Sequence, residues 1–340
     1  MRKSVPQGET LLRTICDGTR ICVGKERETC MKIVFMGTPD FAVGALDALV
    51  GAGYEVTAVV TQPDKPKGRG KDLQCPPVKA FALQHGIPVM QPVKLREPEA
   101  VAELSRYEAD LFVVAAFGQI LTQEILDMPR FGCVNIHASL LPKYRGAAPI
   151  QRAILDGESV TGVTLQQMNA GIDTGDILAK VCVDISPEDT GDSLFEKLMH
   201  AGAKLLIETL PRIEAGEITP KAQDEAQATY AGRLSKELGE IDWQDSAEVI
   251  ARKIRAFTSW PGAYTTLSGK PFKIWGARLT DTAADGEAGS VSAVTKEEIL
   301  INCGEGRLAL TQVQLSGKKR MPVKDFLLGV KVQTGEKLGE

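Results

Sequence analysis

Two polar side chains, Asn135 and His137, stand two residues apart in a short apolar run of this 340-residue chain. Because side chains alternate along a β-strand, this spacing puts an amide and an imidazole on the same face. Both an amide and a protonated imidazole can donate to the oxyanion that forms when an amine or water attacks a carbonyl carbon. The ordinary explanation for such a pair is a buried histidine satisfied by backbone, so its role depends on its neighbours.

Asp173 is the third group of this kind. It lies between Gly171 and Gly175, in a tight connection between strands predicted over 160–168 and 176–185. Turn capping is the simplest role for an aspartate in such a connection. A carboxylate beside an imidazole can also hold the charge of the ring and assist proton transfer. An amide, an imidazole and a carboxylate together suit acyl transfer to an amine, with no serine or cysteine nucleophile.

The segments that would position these groups follow an alternating pattern. From Lys32 onward, short apolar runs alternate with helical patterns, which is typical of a parallel sheet with crossover helices. Strands are predicted over 32–37, 54–61, 88–91, 109–117 and 132–138. In open sheets of this kind, ligands bind at the carboxyl ends of the strands, where His137 falls. The first turn, Gly37-Thr-Pro-Asp40, lacks the GxGxxG spacing, so a dinucleotide site is disfavoured.

The pattern changes after a long amphipathic helix predicted over 190–215. Residues 218–237 are polar and are predicted to be a linker. Residues 238–340 contain a predicted helix near 248–258 and then short apolar runs separated by glycines, which is typical of a small β-barrel. The predicted fold class is therefore α/β, with a Rossmann-like, mostly parallel sheet in residues 31–217 followed by a small OB-like β-barrel domain.

Composition excludes several classes of protein. The 40 basic and 44 acidic residues give a net charge of -4, so a nucleic acid would have to bind at a local basic patch. The chain lacks any apolar run of about 18 residues, so no membrane association is expected. Seven cysteines without a CxxC pair, and three histidines, argue against a disulfide framework and a metal site and favour the cytoplasm. Residues 1–30 show no periodicity and are predicted to be a disordered or non-native extension before Met31.

Several motifs around the three polar groups occur in a fixed order. They are Asn135-x-His137 with Ser139-Leu-Leu-Pro142, then Gly146-Ala-Ala-Pro149, and then Gly171-Ile-Asp173-Thr-Gly-Asp176. In order and separation they resemble the 10-formyltetrahydrofolate-dependent formyltransferases, and matching segments continue from Met31 nearly to the C-terminus. The resemblance implies that the chain moves a formyl group from 10-formyltetrahydrofolate to an amine. It also implies that Asn135, His137 and Asp173 are the catalytic residues.

The resemblance further implies where the folate binds. The tetrahydrofolate-binding stretch of the family matches Ser139, Leu140, Leu141 and Pro142. The run of Phe117, Gly118, Gln119 and Ile120 and the loop residues Asn169 and Gly171 would flank the pterin. Such a mixture of apolar side chains and a few polar groups is typical of small-molecule pockets. No metal is expected, because the three histidines lie in distant segments.

Within the family, the acceptor that the resemblance implies is methionyl initiator tRNA. The family has a basic loop that inserts against the tRNA acceptor end, and it matches residues 64–72 here, with Lys67, Arg69 and Lys71. A second basic cluster, Lys318, Lys319 and Arg320, falls in the predicted barrel, and Arg252, Lys253 and Arg255 offer another. Charge runs are usually solvated, but two clusters in an acidic protein favour a nucleic-acid surface. We expect the protein to act as a monomer.

Other functions fit parts of this pattern. The same chemistry could formylate an amino sugar on a nucleotide, although the basic loop and basic second domain argue against it. A glycinamide ribonucleotide acceptor would leave the second domain without a role. Water in place of the amine would make the protein a hydrolase that releases formate. A tRNA-binding protein without catalysis would reduce the three polar groups to turn and core residues.

Overall fold

The computed structural model describes residues 31–67 and 72–340. The predicted extension over 1–30, and the residues Arg69 and Lys71, lie outside the described residues. The strands are β1 Lys32–Gly37, β2 Glu55–Val60, β3 Lys65–Lys67, β4 Asp72–Gln74, β5 Val89–Met90, β6 Leu111–Ala115, β7 Cys133–His137, β8 Arg145–Gly146, β9 Val160–Gln167, β10 Asp176–Asp184, β11 Tyr230–Ala231, β12 Ala263–Leu267, β13 Lys270–Leu279, β14 Val291–Val294, β15 Ile299–Asn302, β16 Arg307–Leu315 and β17 Met321–Pro322. The helices are α1 Asp40–Gly51, α2 Pro77–Gln84, α3 Pro98–Ser105, α4 Gln123–Leu126, α5 Pro149–Leu155, α6 Gly191–Glu214, α7 Ala247–Ala256 and α8 Val323–Gly329.

The first half of the described chain is built on a sheet with the strand order β10-β9-β7-β6-β1-β2-β5. Strands β5, β2, β1, β6 and β7 run parallel, whereas β9 is antiparallel to both β7 and β10. The central strands β6 and β7 are buried along their whole length, as expected where helices cover both faces. The predicted Rossmann-like, mostly parallel sheet is confirmed.

Helix α6 covers one face of this sheet and begins where the sequence predicts. The Thr190 hydroxyl accepts from the amide of Ser193 at 3.1 Å, and the Ser193 hydroxyl accepts from the amide of Thr190 at 2.9 Å. This reciprocal pair satisfies amide groups that a helix start leaves unpaired. The apolar face of α6, which includes Leu194, Leu198 and Leu206, packs in the same core cluster as the buried side chains of α1, β7 and β9. The face of β7 that carries Asn135 and His137 lies on the opposite side.

The last part of the described chain forms an antiparallel sheet with the strand order β12-β13-β16-β15-β14, and β17 pairs with β16. The C-terminal segment bridges both edges of this sheet, because Leu338 pairs with Leu267 and Lys337 pairs with Ser290. The sheet encloses a separate apolar core that includes Trp243, Phe272 and Phe326. The second, antiparallel domain of the predicted fold class is confirmed, and the two bridges close it in the manner of a small barrel.

Helix α7 joins the two halves, and residues 31–340 form one compact unit. Its side chains Ile250 and Ile254 lie in the core of the second sheet, whereas Ala256 and Phe257 lie in the core of the first. The guanidinium of Arg255 donates to the carbonyl of Asp189 at 2.7 Å, across this contact. In the part of the chain that is described, no helix is long and apolar enough to cross a membrane.

Candidate active site

Asn135 and His137 lie on one face of β7, as the alternation predicts. The intervening Ile136, and Val134 before it, point into the core beneath α1 and α6. Only 9% of Asn135 and 6% of His137 is exposed, so both residues are buried. The amide and imidazole therefore lie side by side at the end of a buried strand.

Asp173 reaches these two side chains from the connection between β9 and β10. Its Oδ1 lies 3.4 Å from Nδ2 of Asn135 and 3.6 Å from Nδ1 of His137. Its Oδ2 accepts from the backbone amide of Gly146 at 2.8 Å. The structure therefore brings together the three residues that the family resemblance assigns to catalysis.

The connection that carries Asp173 is tightly turned. Asp173 has φ of +53°, in the left-handed region, where a residue other than glycine costs about 1–3 kcal/mol and needs support from its surroundings. Gly175 follows at a close approach of two backbones, because a Cβ there would lie 1.8 Å from the carbonyl oxygen of Gln167. The carboxylate is thus held over β7 by a strained loop.

The hydrogen bond of His137 fixes which ring nitrogen carries a proton. Nε2 lies 2.9 Å from the carbonyl oxygen of Tyr144, and a carbonyl only accepts, so Nε2 carries the hydrogen. Nδ1 is then the ring atom that faces Asp173, at 3.6 Å. In the neutral ring Nδ1 has a free lone pair, and a proton taken up there is stabilised by the carboxylate. His137 can therefore accept and return a proton at one defined atom.

The loop after β7, with Ser139, Leu140, Leu141 and Pro142, is held by its own polar groups. The Ser139 hydroxyl donates to the carbonyl of Lys143 at 2.6 Å, and the Thr164 hydroxyl donates to the carbonyl of Ser139 at 2.7 Å. Ser139 and Leu141 are fully buried, whereas Leu140 and Pro142 are half-buried. Ser139 and Leu141 therefore lie inside the loop, whereas part of Leu140 and Pro142 remains exposed.

Tyr144 fastens the far end of this loop. Its hydroxyl donates to Glu158 at 2.9 Å, and the ammonium of Lys143 lies at the same distance from that carboxylate. These two hydrogen bonds, from Lys143 and then Tyr144, lower the pKa of Glu158, against the opposing effect of its burial. Burial, together with the hydrogen bond to Glu158, raises the pKa of the Tyr144 phenol. The carbonyl that holds His137 is thus itself held in place.

The other predicted folate residues divide into supports and exposed groups. Phe117 is buried and its carbonyl accepts from the side chain of Gln62 at 3.0 Å, while the Gln119 side chain binds the backbone of Leu95 at 2.7 Å. Gly118, Ile120, Asn169 and Gly171 are exposed. Ile120 and Ile172, the latter next to Asp173, are 75% and 72% exposed, which is unusual for large apolar side chains.

Gln166 belongs to the site although the sequence pattern does not single it out. Its Nε2 donates to Oδ1 of Asp173 at 2.8 Å, and its Oε1 is buried without a partner among the described residues. The register of β9 puts Gln166 directly opposite Asn135. Alternation along β9 could have indicated which face it occupies, but the antiparallel pairing with β7 is needed to bring it to the carboxylate. The unpartnered oxygen suits a ligand that carries N–H donors.

Gln223 and Arg145 also contribute to the site. The Nε2 of Gln223 donates to the carbonyl oxygens of Asp173, at 2.8 Å, and Gly175, at 2.7 Å. The guanidinium of Arg145 donates to the Oε1 of Gln223 at 3.1 and 2.9 Å. Gln223 lies in the segment predicted to be a linker, where nothing periodic in the sequence indicates such contacts.

The basic loop over 64–72 is described only at its base, where β3 and β4 pair and Lys67 ends β3. Asp64 anchors this hairpin, because its carboxylate accepts from Lys79 at 2.7 Å and from Gln91 at 2.8 Å. Both hydrogen bonds, that of Gln91 first, lower the pKa of Asp64. The base of the loop is therefore fixed to α2 and to the segment after β5.

The second basic cluster, Lys318, Lys319 and Arg320, is exposed in the turn between β16 and β17. The Arg320 guanidinium lies 4.7 Å from the ring centroid of Trp275, and the ammonium of Lys273 lies 5.5 Å from it. The sequence pattern does not connect Lys273 and Trp275 with this cluster. Together they make a basic surface with an aromatic ring, remote along the chain from Asp173.

The third basic set is largely occupied by internal partners. Arg252 pairs with Glu248 at 2.7 Å, and Lys253 donates to the carbonyl of Glu240 at 2.8 Å. Burial lowers the pKa of Arg255, whose guanidinium crosses to the first half of the chain. Lys253 and Arg255 therefore attach α7 to other segments, whereas the ion pair of Arg252 lies within the helix. Within residues 31–67 and 72–340, no group of three His, Cys, Asp or Glu side chains is arranged to hold a metal ion.

Comparison with known proteins identifies the family of both halves. Residues 31–210 match the family described as formyl transferase, and residues 233–331 match the family described as formyl transferase, C-terminal domain. The methionyl-tRNA formyltransferase of Agathobacter rectalis is 53% identical over 305 residues, which cover 90% of this chain and 98% of that protein. The methionyl-tRNA formyltransferase of Bacillus subtilis is 50% identical over 309 residues, which cover 91% of this chain and 98% of that protein.

Solved structures with the same fold are more distant in sequence. HypX from Aquifex aeolicus, in complex with tetrahydrofolic acid, is 21% identical with a TM-score of 0.62, and the match covers 90% of this chain and 51% of that chain. WlaRD, a sugar 3N-formyl transferase, is 22% identical with a TM-score of 0.62, and the match covers 86% of this chain and all of that chain, 100%. At these identities the likeness is one of fold.

Proposed function

The chain belongs to the formyl transferase family, and from this membership we propose that it transfers a formyl group from 10-formyltetrahydrofolate to the amino group of methionyl initiator tRNA. The observation that carries the proposal is near-full-length identity of about half to methionyl-tRNA formyltransferases, for example 53% over 90% of this chain. The product is N-formylmethionyl-tRNA, which serves translation initiation.

The three polar side chains that meet beyond β7 support a direct transfer. The methionyl amine attacks the formyl carbon, a C–N bond to the amine forms, and the bond from that carbon to N10 of the folate breaks. The Asn135 amide donates to the oxyanion that develops. Nδ1 of His137, which has a free lone pair in the neutral ring, takes the proton that the amine loses. The protonated Nδ1 then donates to the oxyanion and passes this proton to the departing N10, while Asp173 stabilises the charged ring.

The folate contacts are proposed for the residues around this cluster. Leu140, Pro142, Ile120 and Gly118 are half-buried or exposed, and Asn169 and Gly171 lie on the loop that carries Asp173. The unpartnered Oε1 of Gln166 offers an acceptor for an N–H of the ligand. Ser139, Leu141, Phe117 and Gln119 act by holding the two loops in shape.

The tRNA contacts are proposed for the two basic clusters. Lys67, Arg69 and Lys71 lie in the loop whose base Asp64 anchors, and we assign this loop to the acceptor end of the tRNA. Lys318, Lys319 and Arg320 are assigned to phosphates of the tRNA body. On this view residues 31–217 are the catalytic domain, 218–237 the linker and 238–340 the tRNA-binding domain. We propose that the protein acts as a monomer.

An amino sugar acceptor is the second candidate because the fold of WlaRD matches all of that chain, 100%, at a TM-score of 0.62. Its identity to this chain is 22%, far below the 53% of the A. rectalis relative. The tRNA acceptor is therefore favoured.

The proposal is tested by incubating the protein with 10-formyltetrahydrofolate, labelled in the formyl group, and methionyl initiator tRNA. We expect label in acid-precipitable tRNA. A dTDP-linked amino sugar as the sole acceptor tests the second candidate, and free formate in the absence of tRNA reports hydrolysis. Label in the sugar or in formate, without label in tRNA, contradicts the proposal.

A further inference from the structure

The turn that carries Asp173, here called the catalytic turn, spans residues 173–175, and its first and last carbonyl groups share the Gln223 side chain as a donor. The Nε2 of Gln223 lies 2.8 Å from the carbonyl oxygen of Asp173 and 2.7 Å from that of Gly175. Because an amide nitrogen has two N–H groups, it can satisfy both oxygens at once. Gln223 thus bridges the backbone on either side of Thr174, immediately after the residue with the left-handed conformation.

Arg145 determines the orientation of this amide. Its side chain has no exposed surface, and its guanidinium donates to the Oε1 of Gln223 at 3.1 and 2.9 Å. The same guanidinium binds both carboxylate oxygens of Glu225, at 2.8 and 2.6 Å. Because Arg145 only donates, it must face Oε1, so Nε2 is the end that faces the catalytic turn.

The backbone around Arg145 is tied to the same segment. Strand β8, which contains Arg145, pairs in parallel with β11, and the amide of Arg145 donates to the carbonyl of Thr229 at 2.8 Å. Gly146, whose amide binds the Asp173 carboxylate, has φ of +110° and approaches this strand closely. A Cβ there would lie 2.7 Å from the carbonyl oxygen of Ala231.

The rest of the catalytic loop has few anchors of this kind. Residues 169–172 are exposed, and Asn169 bonds within the loop, to the amide of Gly171 at 3.0 Å and to Thr174 at 2.7 Å. A strained backbone conformation persists only where its surroundings hold it. Gln223 supplies such a hold from a distant segment of the chain.

We propose that Gln223 is a positioning residue for catalysis, which, held by Arg145, fixes the turn that directs the Asp173 carboxylate toward His137 and Asn135. This inference rests on the proposed function. It makes Gln223 and β11, which lie in the segment predicted from the sequence to be a linker, parts of the active-site scaffold. Gln223 touches neither substrate in this proposal and acts only through Asp173.

The first test compares Gln223→Ala with Gln227→Ala in the formylation assay. Gln227 lies in the same segment, is exposed and bonds to Asp224 at 2.7 Å, so it is a matched control. We expect Gln223→Ala to lower kcat by about 10- to 100-fold, the effect of a misplacement of the order of 1 Å, with an unchanged KM for methionyl-tRNA. The control should keep wild-type values. A KM for methionyl-tRNA that rises by about 10- to 100-fold, with kcat unchanged, would overturn the proposal.

A conservative variant separates positioning from simple space-filling. Gln223→Glu keeps the size of the side chain and an acceptor for Arg145, but its carboxylate cannot donate to the two carbonyls. We expect it to lose at least as much kcat as Gln223→Ala, although its melting temperature stays close to that of wild type. Wild-type kcat in Gln223→Glu would overturn the proposal.

A double-mutant cycle tests whether Gln223 acts through Asp173. In single-turnover assays, Gln223→Ala should change the rate less than about twofold in an Asp173→Ala background, because coupled residues are not additive. If the two losses multiply, Gln223 acts elsewhere and the proposal fails.

Hydrogen exchange tests the positioning role of Gln223 without any substrate, so the result does not depend on which acceptor the protein formylates. Amides of residues 169–176 should exchange faster in Gln223→Ala than in wild type and in Gln227→Ala, because two hydrogen bonds of the turn are removed. If the wild-type protein formylates no tRNA but this exchange difference appears, the proposed function fails and the positional inference stands. If exchange is the same in all three proteins, the positional inference fails.

Discussion

The Nδ1 atom of His137 and the Oδ1 atom of Asp173 lie 3.6 Å apart, farther than a hydrogen bond, whereas Nε2 of the same ring is bound to the carbonyl of Tyr144 at 2.9 Å. The ring is therefore fixed at one nitrogen and left able to react at the other. Oδ1 already accepts from Gln166 at 2.8 Å. At this distance the carboxylate stabilises a positive charge on the ring, and a proton on Nδ1 remains available for transfer to the substrates.

Replacement of either polar residue of β7 should slow the reaction. We expect His137→Ala and Asn135→Ala, made separately, each to lower kcat by about 10²-fold or more, because each removes a donor to the developing oxyanion. Folate affinity, measured by fluorescence titration, should change far less. His200→Ala, at an exposed position of α6, is the control and should be neutral. Near-normal turnover in either variant would make the pair structural.

Arg69→Ala should impair the use of tRNA and spare the use of folate. We expect kcat/KM for methionyl-tRNA to fall by about tenfold, the effect of removing one arginine from a nucleic-acid interface. Arg106→Ala, exposed after the end of α3, is the control. A minimal acceptor, methionine amide, should react at the wild-type rate in both. An equal loss with methionine amide would show that the loop supports catalysis and not tRNA binding.

Reversing the charges of Lys318, Lys319 and Arg320 together to glutamate should weaken tRNA binding. The slope of log affinity against log salt should become shallower by roughly 0.7 to 0.9 for each phosphate that is no longer neutralised. Lys204→Glu combined with Arg212→Glu reverses two exposed cations of α6 and serves as the control. Filter binding in a salt series measures both. A slope unchanged by the triple reversal would identify this cluster as a solvated face.

Glu158 should contribute a stability that depends on pH. Its folded-state pKa lies below the ordinary value of 4.5, chiefly through the hydrogen bonds of Lys143 and Tyr144. A lowered pKa means that the contribution is complete above 4.5 and is lost as the pH falls through the folded-state pKa. Glu158→Gln should therefore cost about 1 kcal/mol of unfolding free energy at neutral pH.

The difference between wild type and Glu158→Gln is measured by urea unfolding at neutral pH and in steps below 4.5, and it should shrink toward zero in acid. Glu208→Gln, at a surface pair with 3.7 Å between the charged atoms, should show a small difference at every pH. A difference for Glu158→Gln that is constant with pH would contradict the assignment.

The four cysteines of the described residues should differ sharply in reactivity. Burial raises the pKa of Cys133 and of Cys303 to about 12, whereas Cys75 and Cys182 are exposed. The thiolate is the reactive form, so iodoacetamide at mildly alkaline pH should modify only Cys75 and Cys182 among these four. Peptide mapping by mass spectrometry reads out each site. Modification of Cys133 without denaturant would show that β7 opens in the native state.

The strand that carries the site could be predicted because its signal is local. Asn135 and His137 alternate with Val134 and Ile136, and alternation alone determines that they share a face. The position of Asp173 is harder to predict, since nothing local says that its loop folds back over β7, and the family motifs supply that step. The alternation of strands and helices in the first half of the chain follows from periodicity for the same local reason.

Gln223 could not be predicted from the sequence, for a physical reason. It stands 50 residues from Asp173, in a polar run with no periodicity. Its role depends on the parallel pairing of two-residue strands, β8 and β11, and on the burial of Arg145. Such short pairings are set by tertiary packing and not by local preference. The contact of Arg255 with the carbonyl of Asp189, 66 residues away, is likewise set by tertiary packing.

Helix α7 has a consequence for making hybrids between homologues. Ile250 and Ile254 are fitted to the second core, and Ala256 and Phe257 are fitted to the first. A recombination junction placed before the helix sets foreign residues against one core, and a junction placed behind it sets foreign residues against the other. A stable chimera therefore needs Ile250 and Ile254 from the parent that supplies the second core, and Ala256 and Phe257 from the parent that supplies the first.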